Sequence, residues 1–122
     1  MTYRPFTLEG NFAFAAGLQE MLLQSYAGFI EVFPAVPASW KDISFHTLRA
    51  EGAFLISAEM KEGSVRSIEI TSEKGGLMKL KNPFLHFSTK QSGNVQIISN
   101  HADFIVVKFS PGARLQLSAA TE

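Results

Sequence analysis

The chain has 122 residues, 46% of them hydrophobic, and eleven Lys and Arg side chains balance eleven Asp and Glu. That length favours one domain, and eleven phenylalanines can fill its core. Zero net charge supplies no basic field for phosphates and argues against nucleic acid as a partner. The lack of cysteine removes disulfides and thiolate metal sites.

Met1 to Glu9 reads as extended, because Pro5 disfavours helix around it. Asn11 is a good N-cap: its side-chain oxygen can accept from a free amide of the first helical turn. Phe12 to Tyr26 then has helical spacing, with Phe14, Leu18, Met21 and Leu22 on one face and Ala15 and Leu23 widening it. Gly17 inside that helix costs about 1 kcal/mol relative to alanine, a cost often accepted where a neighbouring backbone comes close. Gly28 is the expected stop. Arg4 ahead of the apolar stretch, with Ser25-Tyr26-Ala27 after it, loosely mimics a signal peptide. Gln19 and Glu20 inside the stretch, flanked by Pro5 and Asn11, argue against one. The stretch is too short and too polar to span a bilayer, so no membrane partner is expected. The compartment stays open.

The period changes after Gly28. Phe29 to Phe33 is a short predicted strand, Pro34 to Pro37 an extended linker, and Trp40-Lys41-Asp42 a loop. From Ile43 onward strands alternate with turns. The predicted strands are Ser44 to Ala50, Ala53 to Lys61, Val65 to Ser72, Leu77 to Lys81, Phe84 to Ser88, Val95 to Ser99, Phe104 to Ser110 and Arg114 to Ser118. Glu62-Gly63, Glu73 to Gly76, Ser92-Gly93-Asn94 and Ser110-Pro111-Gly112 supply turns. The expected fold is mainly β: an antiparallel β-sandwich of about eight to nine strands preceded by one N-terminal α-helix. The expected division is 1–28 for the extended segment and helix, and 29–122 for the sandwich.

Catalytic signatures are sparse. His46, His86 and His101 have no metal-ligand spacing, and each reads as a strand or loop histidine. No nucleophile elbow, P-loop or dinucleotide fingerprint occurs. Gly75-Gly76 has no helix after it to supply amides to a phosphate, so it reads as a hairpin turn. Glu51, Glu59, Glu62, Glu69 and Glu73 fall on polar strand faces or turns, where solvated charges belong. Glu9, just before a glycine and a capped apolar helix, is either a first-turn acid favoured by the helix dipole or a functional carboxylate. Trp40 is either a platform on which a sugar ring stacks or, the more ordinary role, a plug between helix and sandwich.

Leu8-Glu9-Gly10-Asn11-Phe12, continuing from Ala16 to Ser25, resembles the last barrel helix of glycoside hydrolase family 95, the inverting α-L-fucosidases. Phe33-Pro34-Ala35-Val36-Pro37-Ala38-Ser39-Trp40 is similar to that family's passage out of the barrel. Leu48 to Phe54 is similar to the start of its C-terminal β-domain. The resemblance runs from Leu8 to about Gly76; beyond that, the strands match only in pattern. It implies an architecture of N-terminal β-domain, helical barrel and C-terminal β-domain, with the general acid and the water-positioning asparagines on the barrel, upstream of this chain. Glu9 stands where the family motif has an aspartate that activates the asparagine acting as base, which makes Glu9 the one candidate catalytic carboxylate. Asn11 and Trp40 are the candidate binding residues. Glutamate is one methylene longer than aspartate, and catalytic positioning is sensitive to about 1 Å. Ala13 and Phe14 stand where the family prefers glycine-like residues.

The resemblance implies a non-catalytic C-terminal module or truncated fragment of an α-L-fucosidase-like hydrolase, bracing a missing barrel and inactive alone. The alternatives are a carbohydrate-binding module using Trp40 and strand aromatics, or an interaction domain with no glycan role. Implied partners are a separate barrel-bearing polypeptide, a second copy through the N-terminal helix, or fucosylated glycans. No cofactor or metal is implied.

Overall fold

Alternation of apolar and polar side chains sets the architecture. In the computed structural model, which describes residues 6–9, 22–25, 28–34 and 39–120, the chain is mainly β. The strands are β1 (Phe6–Glu9), β2 (Leu23–Gln24), β3 (Glu31–Val32), β4 (Ile43–Ala50), β5 (Phe54–Lys61), β6 (Ser64–Ser72), β7 (Gly76–Lys81), β8 (Phe87–Ser92), β9 (Val95–Asn100), β10 (Phe104–Phe109) and β11 (Arg114–Ala119). A six-stranded sheet runs β1-β4-β5-β6-β11-β8, and a three-stranded sheet runs β7-β10-β9. All strand pairs are antiparallel except β1 with β4. The β2-β3 pair joins the edge of β7 through Ile30, whose N–H donates to Lys79 O and whose carbonyl accepts from Lys81 N–H, both at 2.8 Å.

Period-2 burial is clearest on β5, where Phe54, Ile56, Ala58 and Met60 are buried and the residues between them are not. Ile68 and Ile70 of β6 lie on the same side, as do Leu115 and Leu117 of β11. Ile105, Val107 and Phe109 of β10 come from the second sheet, and all of these residues form one hydrophobic cluster. Phe54 meets Phe109 edge-on with ring centroids 5.5 Å apart, joining the sheets. Each fully buried aliphatic or aromatic side chain of this kind stabilises the fold by roughly 1.5–3 kcal/mol.

Three local features depart from the sequence expectation. On β4, Phe45 and Leu48 are both buried although three residues apart. A bulge between them admits one extra residue, since Phe45 pairs with Ala58 and Leu48 with Ile56. Thr47 takes a positive φ of 57° within this bulge, and its N–H donates to Ser57 Oγ at 2.9 Å. Secondly, the strand expected over Phe84 to Ser88 starts later, at Phe87. Asn82 Oδ1 accepts Phe84 N–H at 2.9 Å, and its Nδ2 donates to His101 O at 2.9 Å, so a side chain commits this stretch to a turn.

The helix expected over Phe12 to Tyr26 falls largely outside the described residues. Its C-terminal end does not hold, because Leu23 and Gln24 pair with Val32 and Glu31 as β2. The pairing is secured by Phe33 N–H donating to Leu22 O at 2.7 Å. Leu22 and Leu23 are both buried, Leu22 just ahead of β2 and Leu23 within it, so of these two consecutive apolar positions Leu23 enters the core from a short strand.

Candidate functional site

The residues singled out by sequence are described only in part. Glu9 is the last residue of β1, in parallel register with His46 of β4, at the point where the β4 bulge begins. Its side chain and all of Asn11 lie outside the described residues. Trp40 is half-buried and packs against the hydrophobic cluster. The histidines divide between two places. His46 lies on the outer face of the six-stranded sheet, whereas His86 and His101 line a groove of ≈ 390 Å³ with Asn82, Leu85, Phe87 and Asn100. Among the described residues, no group of three His, Cys, Asp or Glu side chains is placed to hold a metal ion. Nor is any described helix long and apolar enough to cross a membrane.

One polar groove escaped the sequence reading. Ser44, His46, Ser57, Glu59, Ser67, Glu69 and Gln116 line a hollow of ≈ 260 Å³ across β4, β5, β6 and β11. Register explains it: Ser44 pairs with Glu59 and Glu59 with Ser67, while Ser57 pairs with Glu69 and Glu69 with Gln116. Hydroxyls beside carboxylates on neighbouring strands make a hydrogen-bonding surface. The recurring Ser-x-His and Ser-x-Glu steps at 44–46, 57–59 and 67–69 were the available signal. Glu59 and Glu69 are diagonal neighbours across β5 and β6, on the face of a sheet. Glycoside cleavage needs two carboxyl groups flanking one glycosidic bond in a site that encloses the sugar. An open hollow does not provide that enclosure, and Phe45, which lines its floor, is buried.

At the opposite ends of the strands, turns are locked by side chains. Ser72 is buried, and its Oγ accepts Gly75 N–H at 2.7 Å. Arg49 forms an ion pair with Glu73 across the same end of the domain.

The family model for the C-terminal domain of glycoside hydrolase family 95 matches residues 24–117. The chain belongs to this family. The match takes in β7 through β10 and most of β11, which the sequence alone ties to the family only by pattern, and it begins after Glu9 and Asn11. An α-L-fucosidase 2 from Arabidopsis thaliana is 37% identical over 71 residues, which is 57% of this chain and 8% of that protein. The chain therefore spans less than a tenth of the length of that curated relative.

Proposed function

We propose that this family 95 C-terminal domain is a non-catalytic structural module of an α-L-fucosidase-like glycoside hydrolase, a β-sandwich that braces the catalytic region preceding it. What supports this reading is the setting of the described candidate groups. Glu9 stands at the end of β1, Glu59 and Glu69 lie in an open hollow on a sheet face, and Trp40 packs against the core. An inverting hydrolase needs a general acid on one side of the bond and an activated water on the other, inside a cavity that excludes bulk solvent. On this reading Glu9 is at most a helper carboxylate delivered to a site built elsewhere, and the stable two-sheet core is the contribution of the chain.

The test is co-expression with Arabidopsis α-L-fucosidase 2 lacking its 71-residue matched stretch. Bracing predicts a soluble complex that melts higher than the shortened enzyme alone; separate elution of the two polypeptides contradicts it. Calorimetric titration of the isolated chain with 2′-fucosyllactose is expected to show no saturable heat. Saturable binding would instead favour a carbohydrate-binding module.

A further inference from the structure

We infer that the open edge of β9 is a self-pairing surface, along which a second copy of this chain adds its own β9 in antiparallel register. The inference is independent of the bracing reading. Among the described residues, every other edge of the two main sheets is guarded. β1 ends the six-stranded sheet on one side and carries Glu9; β8 ends it on the other and carries Lys90. β7 carries Lys79 and Lys81 and is covered by Ile30. Charges and covering segments keep sheet edges from pairing with other chains. β9 has neither: its sequence VQIISN holds no charge and no proline, and among the described residues it is paired on one side only, to β10.

The side chains of β9 are those of a contact strand. Ile97 is 39% exposed and Ile98 54%. Register explains why both stand out. Val106 pairs with Ser99 and Val107 with Ile97, so Ile98 is the extra residue of a bulge, and alternation is broken there. A bulge can blunt an edge, but this one brings apolar side chains to the surface and no charge. Consecutive β-branched residues on an uncharged edge favour strand addition. The apolar surface continues past the strand, since Asn100 lines the groove that holds Phe87 and the 93% exposed Leu85.

The occupant follows from charge and symmetry. A two-fold contact sets the same patch of both copies together, so a charge at its centre would meet its like. β9 has none, and the zero net charge of the chain does not oppose association. With the axis at Ile98, each copy's Gln96 faces the other copy's Asn100, amide to amide, and the two isoleucines meet in the middle. An uncharged strand offers nothing that selects an oppositely charged partner. Pairing joins two three-stranded sheets into one of six strands.

Sedimentation equilibrium on the whole chain tests this, in three forms: unaltered, Ile98→Lys and Leu77→Asp. Ile98→Lys sets two ammonium groups at the axis and, at an exposed position, keeps the fold, which circular dichroism checks. Leu77→Asp removes a leucine that is 65% exposed on β7, the far edge of the same sheet, and gains Lys108 as a cross-strand cation. The expected result is a reversible dimer of the unaltered chain and of Leu77→Asp, and at least tenfold weaker dimerisation of Ile98→Lys. Hydrogen exchange at the β9 amides not bonded to β10 is expected to slow as the concentration of unaltered chain rises. A chain that stays monomeric at its highest soluble concentration overturns the inference. So does a dimer that Ile98→Lys leaves intact, one that Leu77→Asp splits equally, or one whose β9 amides exchange at the same rate at every concentration. Should Ile98→Lys lose its fold, the exchange measurement on the unaltered chain decides alone.

Discussion

Ser72 and Gly75 are joined by a 2.7 Å hydrogen bond from the glycine N–H to the serine Oγ, at a position where the serine is fully buried. This bond closes the β6–β7 turn, and backbone bonds of Ser72 hold that turn against the β10–β11 turn. Ser72 N–H also donates to Ala113 O at 2.9 Å, and Gly112 N–H to Ser72 O at 2.7 Å. A Cβ on Gly75 would stand 2.9 Å from Pro111 Cδ and 3.0 Å from Phe109 O, with φ at +77°. Gly75→Ala is therefore expected to destabilise the domain by about 1–3 kcal/mol, through backbone strain and the collision together. Ser72→Ala should cost about 1–2 kcal/mol by leaving the Gly75 amide unpaired. Urea denaturation measures both; a Gly75→Ala midpoint equal to that of the unaltered chain would refute the turn-to-turn lock.

The β5–β6 hairpin offers a change in the other direction. Glu62 and Gly63 have φ of 52° and 79°, the two left-handed residues of a two-residue hairpin turn. Asparagine tolerates that region better than glutamate, and Asn-Gly is the favoured pair. The Glu62 N–H bond to Asp42 Oδ1 at 2.8 Å is a backbone bond and survives substitution. Only the exposed 3.8 Å contact with Arg66 is lost, and such contacts contribute little. Glu62→Asn is expected to raise stability by about 0.5–1 kcal/mol, read as a higher midpoint in thermal unfolding; a lower midpoint would contradict the turn assignment.

Trp40 separates packing from sugar recognition. Its half-buried position against the cluster predicts that Trp40→Ala destabilises the chain by about 1–3 kcal/mol, less than a fully buried aromatic. Titration with fucosylated oligosaccharides is expected to give the same null result before and after the change. Unchanged stability coupled with loss of glycan binding would assign Trp40 to a platform.

Much of the β architecture was legible because strand periodicity is a local property. β5 alternates without interruption, and Glu62-Gly63 and Gly75-Gly76 announce their turns by residue type. What sequence could not supply were features decided by distant partners. The β4 bulge depends on Ser57 accepting Thr47 N–H, and the late start of β8 depends on Asn82 reaching His101. β2 illustrates the limit of helical spacing, since Leu23 satisfies a helix face and a short buried strand equally well, and pairing with Val32 decides. The polar groove was hidden for a related reason. Ser57, Glu59, Ser67 and Glu69 each read as an ordinary outward residue, and only register places them side by side. Glu9 was identifiable through the family motif alone, because nothing in its local pattern separates a functional carboxylate from a helix-start acid.

Leu80 and Leu85 make a matched pair for the core. Leu80 is fully buried on β7, and Leu85 is almost wholly exposed five residues later. Leu80→Ala is expected to cost about 2–5 kcal/mol through lost burial and the cavity left behind. Leu85→Ala should change stability by less than about 0.5 kcal/mol. Equal effects in chemical denaturation would contradict the placement of the β7–β8 loop.

The central claim is that this chain braces a hydrolase without performing its chemistry. The most direct measurement is turnover of an aryl α-L-fucoside by the purified chain, with the Glu9→Gln variant alongside. The account predicts no hydrolysis above the uncatalysed background for either. Robust turnover by the unaltered chain, abolished by Glu9→Gln, would contradict it.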